Sequence, residues 1–147
     1  MNQSVTFNIH PGDTLTRNVK PLLFELLHAL RQLMASGETR VIDLRSIPLA
    51  PGEEQKILEF LGQGEVQAKL EALGPSRVCE TRYPGIWLVT HYNSDEQIIG
   101  RFIEITTCPD ILRSQSEDIK GAIEQLSSSL PDPESDARDT TSAEAHL

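Results

Sequence analysis

The stretch RVCETRYPGIWLVTHYNSDEQIIGRFIEITTCP, residues 77–109, decides the fold. Residues 77–83 and 86–92 are rich in β-branched and aromatic side chains and read as extended, with Pro84-Gly85 supplying a bulge or bend between them. Asn93-Ser94-Asp95 has hairpin-turn chemistry, because Asn and Asp side chains bond their own backbone two residues on. Residues 97–107, with their Ile and Phe, would then pair back as the partner strand. Ile86 and Leu88 share one strand face, Trp87 and Val89 the other. Two apolar faces suit a central strand covered on each side, or one with a face kept for a partner; burial habits favour a core tryptophan.

Upstream, Val66, Ala68, Leu70 and Ala72 alternate with Glu65, Gln67, Lys69 and Glu71, a one-sided strand that Gly74-Pro75 turns. Gly62-Gln63-Gly64 ends a helix over about 52–61, whose first turn holds Glu53 and Glu54, where the dipole favours acids. Residues 39–44 (TRVIDL) form a short strand, set apart by Pro48 and Pro51. Val19, Leu22, Leu23, Leu26, Leu27, Leu30, Leu33 and Met34 have helical spacing, with Asn18 as N-cap, Pro21 in the first turn and Gly37 as the left-handed stop. Residues 4–9 alternate like a half-buried strand. Downstream, Ser114-x-x-Glu117 reads as a capping box opening a helix with Ile119, Ala122, Ile123 and Leu126 on one face. The order β-α-β-α-β-β-β-α predicts an α+β domain over 1–126. Its mainly antiparallel sheet of four to five strands would carry two to three helices packed mostly on one face. Ser, Pro and acidic residues predict a disordered tail over 127–147.

The net charge of −9 and pI near 4.8 repel nucleic-acid phosphates and anionic lipid. Residues 131–147 concentrate that charge, with five acids against Arg138. The first ten residues lack a basic segment followed by an apolar run, and two cysteines far apart suit a reduced cytoplasmic chain, which argues against export. Glu25 and His28 interrupt the strongest apolar run, which is too short to span a membrane.

Cys79, His91 and Cys108 fall on or beside neighbouring strands, yet without CxxC, HxxxH or HExxH spacing. The plain reading is two small buried cysteines; the alternative is an iron–sulfur or sulfur carrier using Cys79 and Cys108. Glu80 beside Cys79 works against a thiolate nucleophile. A carboxylate pair, Glu65 with Glu80, could do acid–base work only if its surroundings drive the two pKa values apart. Gly62 and Gly64 follow a helix rather than open one, so they end that helix rather than cradle phosphate. Neither a metal, a cofactor nor a catalytic residue is expected on these grounds.

Taken together, IDLRSIPLAP (42–51), LGQGEVQAKLE (61–71), CETRYPGIWLVTHY (79–92) and FIEITTCPDIL (102–112) resemble the HupH/HyaF family of hydrogenase expression/formation proteins. The family's G-x-G-E-V element corresponds to Gly62, Gly64, Glu65 and Val66. Its E-T-x-x-P-G-V/I-W element corresponds to Glu80, Thr81, Pro84, Gly85, Ile86 and Trp87. Its I-E-V/I-x-x-x-P strand corresponds to Ile103, Glu104, Ile105 and Pro109. The resemblance implies a non-catalytic accessory protein, or chaperone, of NiFe-hydrogenase maturation. Its partners would be the iron–sulfur small-subunit precursor before export and other maturation factors. Better-known members are longer and hold two related modules, which makes a homodimer an expectation here. A partner-binding surface is expected around Glu65, Glu80, Pro84, Gly85 and Trp87, since the family elements mix turn formers with polar residues.

Overall fold

The computed structural model describes residues 17–72 and 74–133. Along the chain run α1 (Val19–Ser36), β1 (Arg40–Asp43), α2 (Glu53–Leu61), β2 (Gln67–Ala72), β3 (Gly74–Glu80), β4 (Ile86–Tyr92), β5 (Ile98–Ile105) and α3 (Ser116–Ser129). The strands form one antiparallel sheet in the order β1-β5-β4-β3-β2. The domain is α+β, and β4 is its central strand. The expected strand over 4–9 and most of the expected tail, residues 134–147, lie outside the described residues.

Four strands follow α2 rather than three. Pro84-Gly85 does not bend one long strand; it reverses the chain, and β3 pairs antiparallel with β4, Cys79 opposite Leu88 and Glu80 opposite Trp87. Gly85 takes φ +93°, a conformation that costs a residue with a Cβ, and Ile86 N donates to Tyr83 O at 3.0 Å across the reversal.

The two inward stripes of α1 and α2 explain the core. Val19, Leu22, Leu26 and Ala29 of α1 and Ile57 and Leu61 of α2 pack with Ile42, Leu44, Ile86, Ile103 and Ile105. These sheet residues lie on one face, because Ile42 pairs with Ile103 and Ile86 with Ile105. Gly37 ends α1 at φ +73° with its N–H on Leu33 O at 2.9 Å, as its position in the sequence predicts.

Asn18 does flank α1, but its side chain does not cap it. Instead Nδ2 donates to Pro48 O at 2.9 Å and lies 3.5 Å from the Glu53 carboxylate, which is 3% exposed and also accepts from Ala50 N at 2.7 Å. Glu53 opens α2 while Asn18 precedes α1, so the N-terminal ends of both helices converge on one buried carboxyl group. Glu54, the next residue of α2, pairs with Arg101 of β5 at 3.1 Å.

A second unit begins at Ile111 and contains α3. The expected capping box is not formed. The helix starts at Ser116, leaving Ser114 one residue outside the cap and Glu117 too early to reach back; Glu117 pairs with Lys120 at 3.0 Å instead. The helix also runs through Ser129, past the expected start of the tail at Ser127. None of its residues is buried, and Ile119, Ile123, Leu126 and Leu130 are all exposed.

Candidate functional site

Helix α1 carries more apolar side chains than one buried stripe needs. Beside its inward residues runs a second line, Lys20, Phe24 and Leu27, spaced one turn apart. Phe24 is 60% exposed. Phe60 of α2 and Tyr83 of the β3–β4 turn stand with this line around an apolar groove, their rings stacked at 6.0 Å and 16°. Leu26, Leu61 and Ile86 also line the groove, which encloses about 360 Å³.

The family elements build its turn wall. Gly62 caps α2, its N–H on Leu58 O, and the chain then runs alongside the end of β3. Gly64 N donates to Glu80 O at 2.8 Å, Glu80 N to Val66 O at 2.9 Å and Arg82 N to Leu61 O at 2.8 Å. A Cβ on Gly64 would collide with the Thr81 carbonyl oxygen and reach 3.1 Å from Glu80 O. Thr81 is buried; its Oγ1 accepts from Tyr83 N and donates to Tyr83 O, both at 3.2 Å, and this closes the turn that holds Tyr83. A Cβ on Gly85 would stand 3.0 Å from Leu30 Cδ2, so glycine lets the turn close down on α1.

Trp87 lies on the opposite sheet face from Ile86 and is 6% exposed. Its Nε1 donates to Thr106 O at 3.0 Å, while Thr106 N donates to Gly85 O at 3.0 Å. The tryptophan thereby ties the end of β5 to the turn. Trp87→Phe keeps the ring and removes the donor, leaving Thr106 O short of a partner. It is expected to cost about 1–2 kcal/mol, read as a lower denaturation midpoint with an unchanged m-value.

The five residues expected to bind a partner therefore gather around one turn but differ in access. Glu65 and Pro84 are exposed, Glu80 and Gly85 are half-buried, and Trp87 is inside. The groove residues Phe24, Phe60 and Tyr83 were not singled out in the sequence; the signal available was the excess width of the α1 apolar arc.

The cysteine candidates do not converge with His91. Cys79 pairs with Leu88 on the helix-covered face, whereas His91 projects from the other face, its Nδ1 2.7 Å from Ser76 Oγ. A hydrolase triad engages its serine through Nε2, keeping Nδ1 for the orienting carboxylate, so this contact has the wrong nitrogen. Cys108 lies beyond β5, where its N–H bonds Thr106 Oγ1 at 3.3 Å. Among the described residues no three His, Cys, Asp or Glu side chains are placed to hold a metal.

Glu104 of β5 is a carboxyl whose surroundings shift its titration upward. Burial and then the charge of Asp110 raise its pKa above the ordinary 4.5, against a weaker downward pull from His91. Between 4.5 and that raised value the folded chain holds more protons than the unfolded one, so this group costs stability as pH rises through the window. Glu104→Gln is expected to raise Tm at pH 7, with the difference from wild type shrinking as pH falls below 4.5. Thermal melts at both pH values check this.

Residues 16–131 match the family described as HupH hydrogenase expression protein, C-terminal conserved region. The hydrogenase expression/formation protein HupQ of Azotobacter chroococcum mcd 1 is 35% identical over 118 residues, 79% of this chain and 41% of its own length. HoxQ of Azotobacter vinelandii, with the same description, is 32% identical over 111 residues, 74% of this chain and 39% of its own length. The chain thus spans about two fifths of these relatives. A solved structure, the hydrogenase expression protein HupH from Thiobacillus denitrificans ATCC 25259, superposes with a TM-score of 0.71 at 36% identity. That match covers 74% of this chain and 91% of the other. On the match to the family over most of its length and on the shared fold, the chain belongs to the HupH family of hydrogenase expression proteins, carrying its C-terminal conserved region.

Proposed function

We propose that this chain is a non-catalytic accessory protein of NiFe-hydrogenase maturation that holds the iron–sulfur small-subunit precursor in the cytoplasm before export. The observation that carries the reading is the groove of about 360 Å³ between α1 and α2. Its lining is apolar apart from Lys20 and Tyr83, and its aromatic residues remain open to solvent. An apolar trough with exposed aromatic anchors suits the capture of an apolar protein segment. A reacting small molecule would call for a nucleophile oriented by a neighbouring base, whereas Lys20 and Tyr83 are the polar side chains in a lining that is otherwise apolar. In this reading Glu65 and Pro84 contact the partner at the rim, and Glu80, Gly85 and Trp87 act by holding the turn that presents Tyr83. Among the described residues no helix is long and apolar enough to cross a membrane.

Co-purification tests the reading. The tagged chain is expressed with the small-subunit precursor, with the large subunit and an unrelated exported protein as controls. Selective recovery of the precursor is expected. Recovery of none of them, with and without oxygen, would overturn the proposal.

A further inference from the structure

Within its own unit helix α3 is amphipathic, and none of its residues is buried. Ile119, Ile123, Leu126 and Leu130 follow the i, i+4, i+7, i+11 spacing of one stripe, and each is at least 49% exposed. The groove on α1 is a complementary receptor in length and in charge. From Ile119 to Leu130 the helix rises about 16 Å, and the α1 wall from Lys20 to Leu30 about 15 Å. Residues 116–133 carry Glu117, Asp118, Glu124 and Asp132 against Lys120, and the acid-rich residues 134–147 follow. Lys20 lines the groove, exposed Arg31 lies one turn beyond Leu27 on the same stripe of α1, and exposed Arg82 precedes Tyr83 with its guanidinium beside Gly62 at the end of α2.

We propose that a second copy of this chain fills the groove, each copy laying its α3 stripe between α1 and α2 of the other in a reciprocal dimer. The exchange covers two apolar surfaces at once and sets the acidic segment against the cationic rim, and its two-fold closure leaves neither groove open for chain growth. The proposal deepens the assigned role of the groove: the dimer is the resting state, and the small-subunit precursor displaces α3.

Sedimentation velocity on the full chain and two variants tests it. Wild type is expected to be a dimer. Phe24→Glu in the groove and Ile123→Glu on the helix should each shift the chain to monomer, and both positions are exposed enough to leave the fold intact by circular dichroism. Mixing the two variants should restore a dimeric species, because the intact α3 of the first meets the intact groove of the second. A monomeric wild type, a dimer insensitive to Ile123→Glu, or a mixture with no dimer would each overturn the proposal. Raising salt from about 0.05 to about 0.5 M shortens the Debye length about threefold and should weaken the dimer; a salt-independent dimer would remove the charge match. Precursor capture is read separately. Ile123→Glu keeps an intact groove and should still recover the precursor, so failure of dimerisation and failure of the binding function give different results.

Discussion

Gly64→Ala is expected to cost about 3 kcal/mol of folding stability, a fall of roughly 10 °C in Tm. The reason is a single close approach. Gly64 lies flat against the end of β3 with its N–H on Glu80 O, and a methyl group there would overlap the Thr81 carbonyl oxygen. Both neighbours are backbone, so neither can swing aside as a side chain would. Relief requires moving the 62–66 segment away from residues 80–82, which breaks the bonds from Gly64 N to Glu80 O and from Arg82 N to Leu61 O. The Tyr83 wall of the groove would loosen with them. Gly121→Ala is the contrasting substitution: it meets no atom within 4 Å and lies inside α3, where alanine favours helix by about 1 kcal/mol. Chemical denaturation of the two variants checks the pair, and a Gly64→Ala chain as stable as wild type would remove the clamp.

Phe24→Ala should do the reverse, sparing the fold and damaging the binding. With 60% of its surface exposed, Phe24 contributes little to the core, and Tm should change by no more than about 2–3 °C. As the aromatic anchor of an apolar groove it has the character of an interface hot spot, whose truncation costs about 2 kcal/mol of binding, or about 30-fold in Kd. A titration of purified precursor into wild type and variant measures the ratio. A variant that binds as well as wild type would move the contact surface off the α1 wall.

How much of this was legible in the sequence depended on whether the cause was local. The span of β4, residues 86–92, follows from alternation and flanking turn residues, and its central place follows from its two apolar faces. Gly37 and Gly62 act as helix stops because a positive φ at a C-cap is a local requirement. The Asn93 turn is likewise self-contained, with Asn93 Oδ1 accepting from Asp95 N and Gln97 N at 2.9 Å. By contrast, the reversal at Gly85 depends on Thr81 clamping Tyr83 and on Leu30 approaching from another element. Gly64 read as part of a helix stop, yet its need for glycine is set by β3. The groove was the least legible feature. Phe24, Phe60 and Tyr83 come from three separate segments, and only packing brings them together. The family elements pointed to the right turn but not to the side chains it presents: Trp87, the most conspicuous residue in them, is held inside by Thr106.

Site-specific photo-crosslinking tests the central claim most directly. A photoreactive phenylalanine analogue at position 24 sits on the groove wall, and the same group at position 34, where Met34 is 90% exposed on the same helix, sits outside the lining. With the small-subunit precursor present, position 24 is predicted to give a crosslink to that precursor and position 34 little or none. Equal crosslinking from both positions, or none to the precursor from position 24, would contradict the assignment of the groove as the surface that holds it.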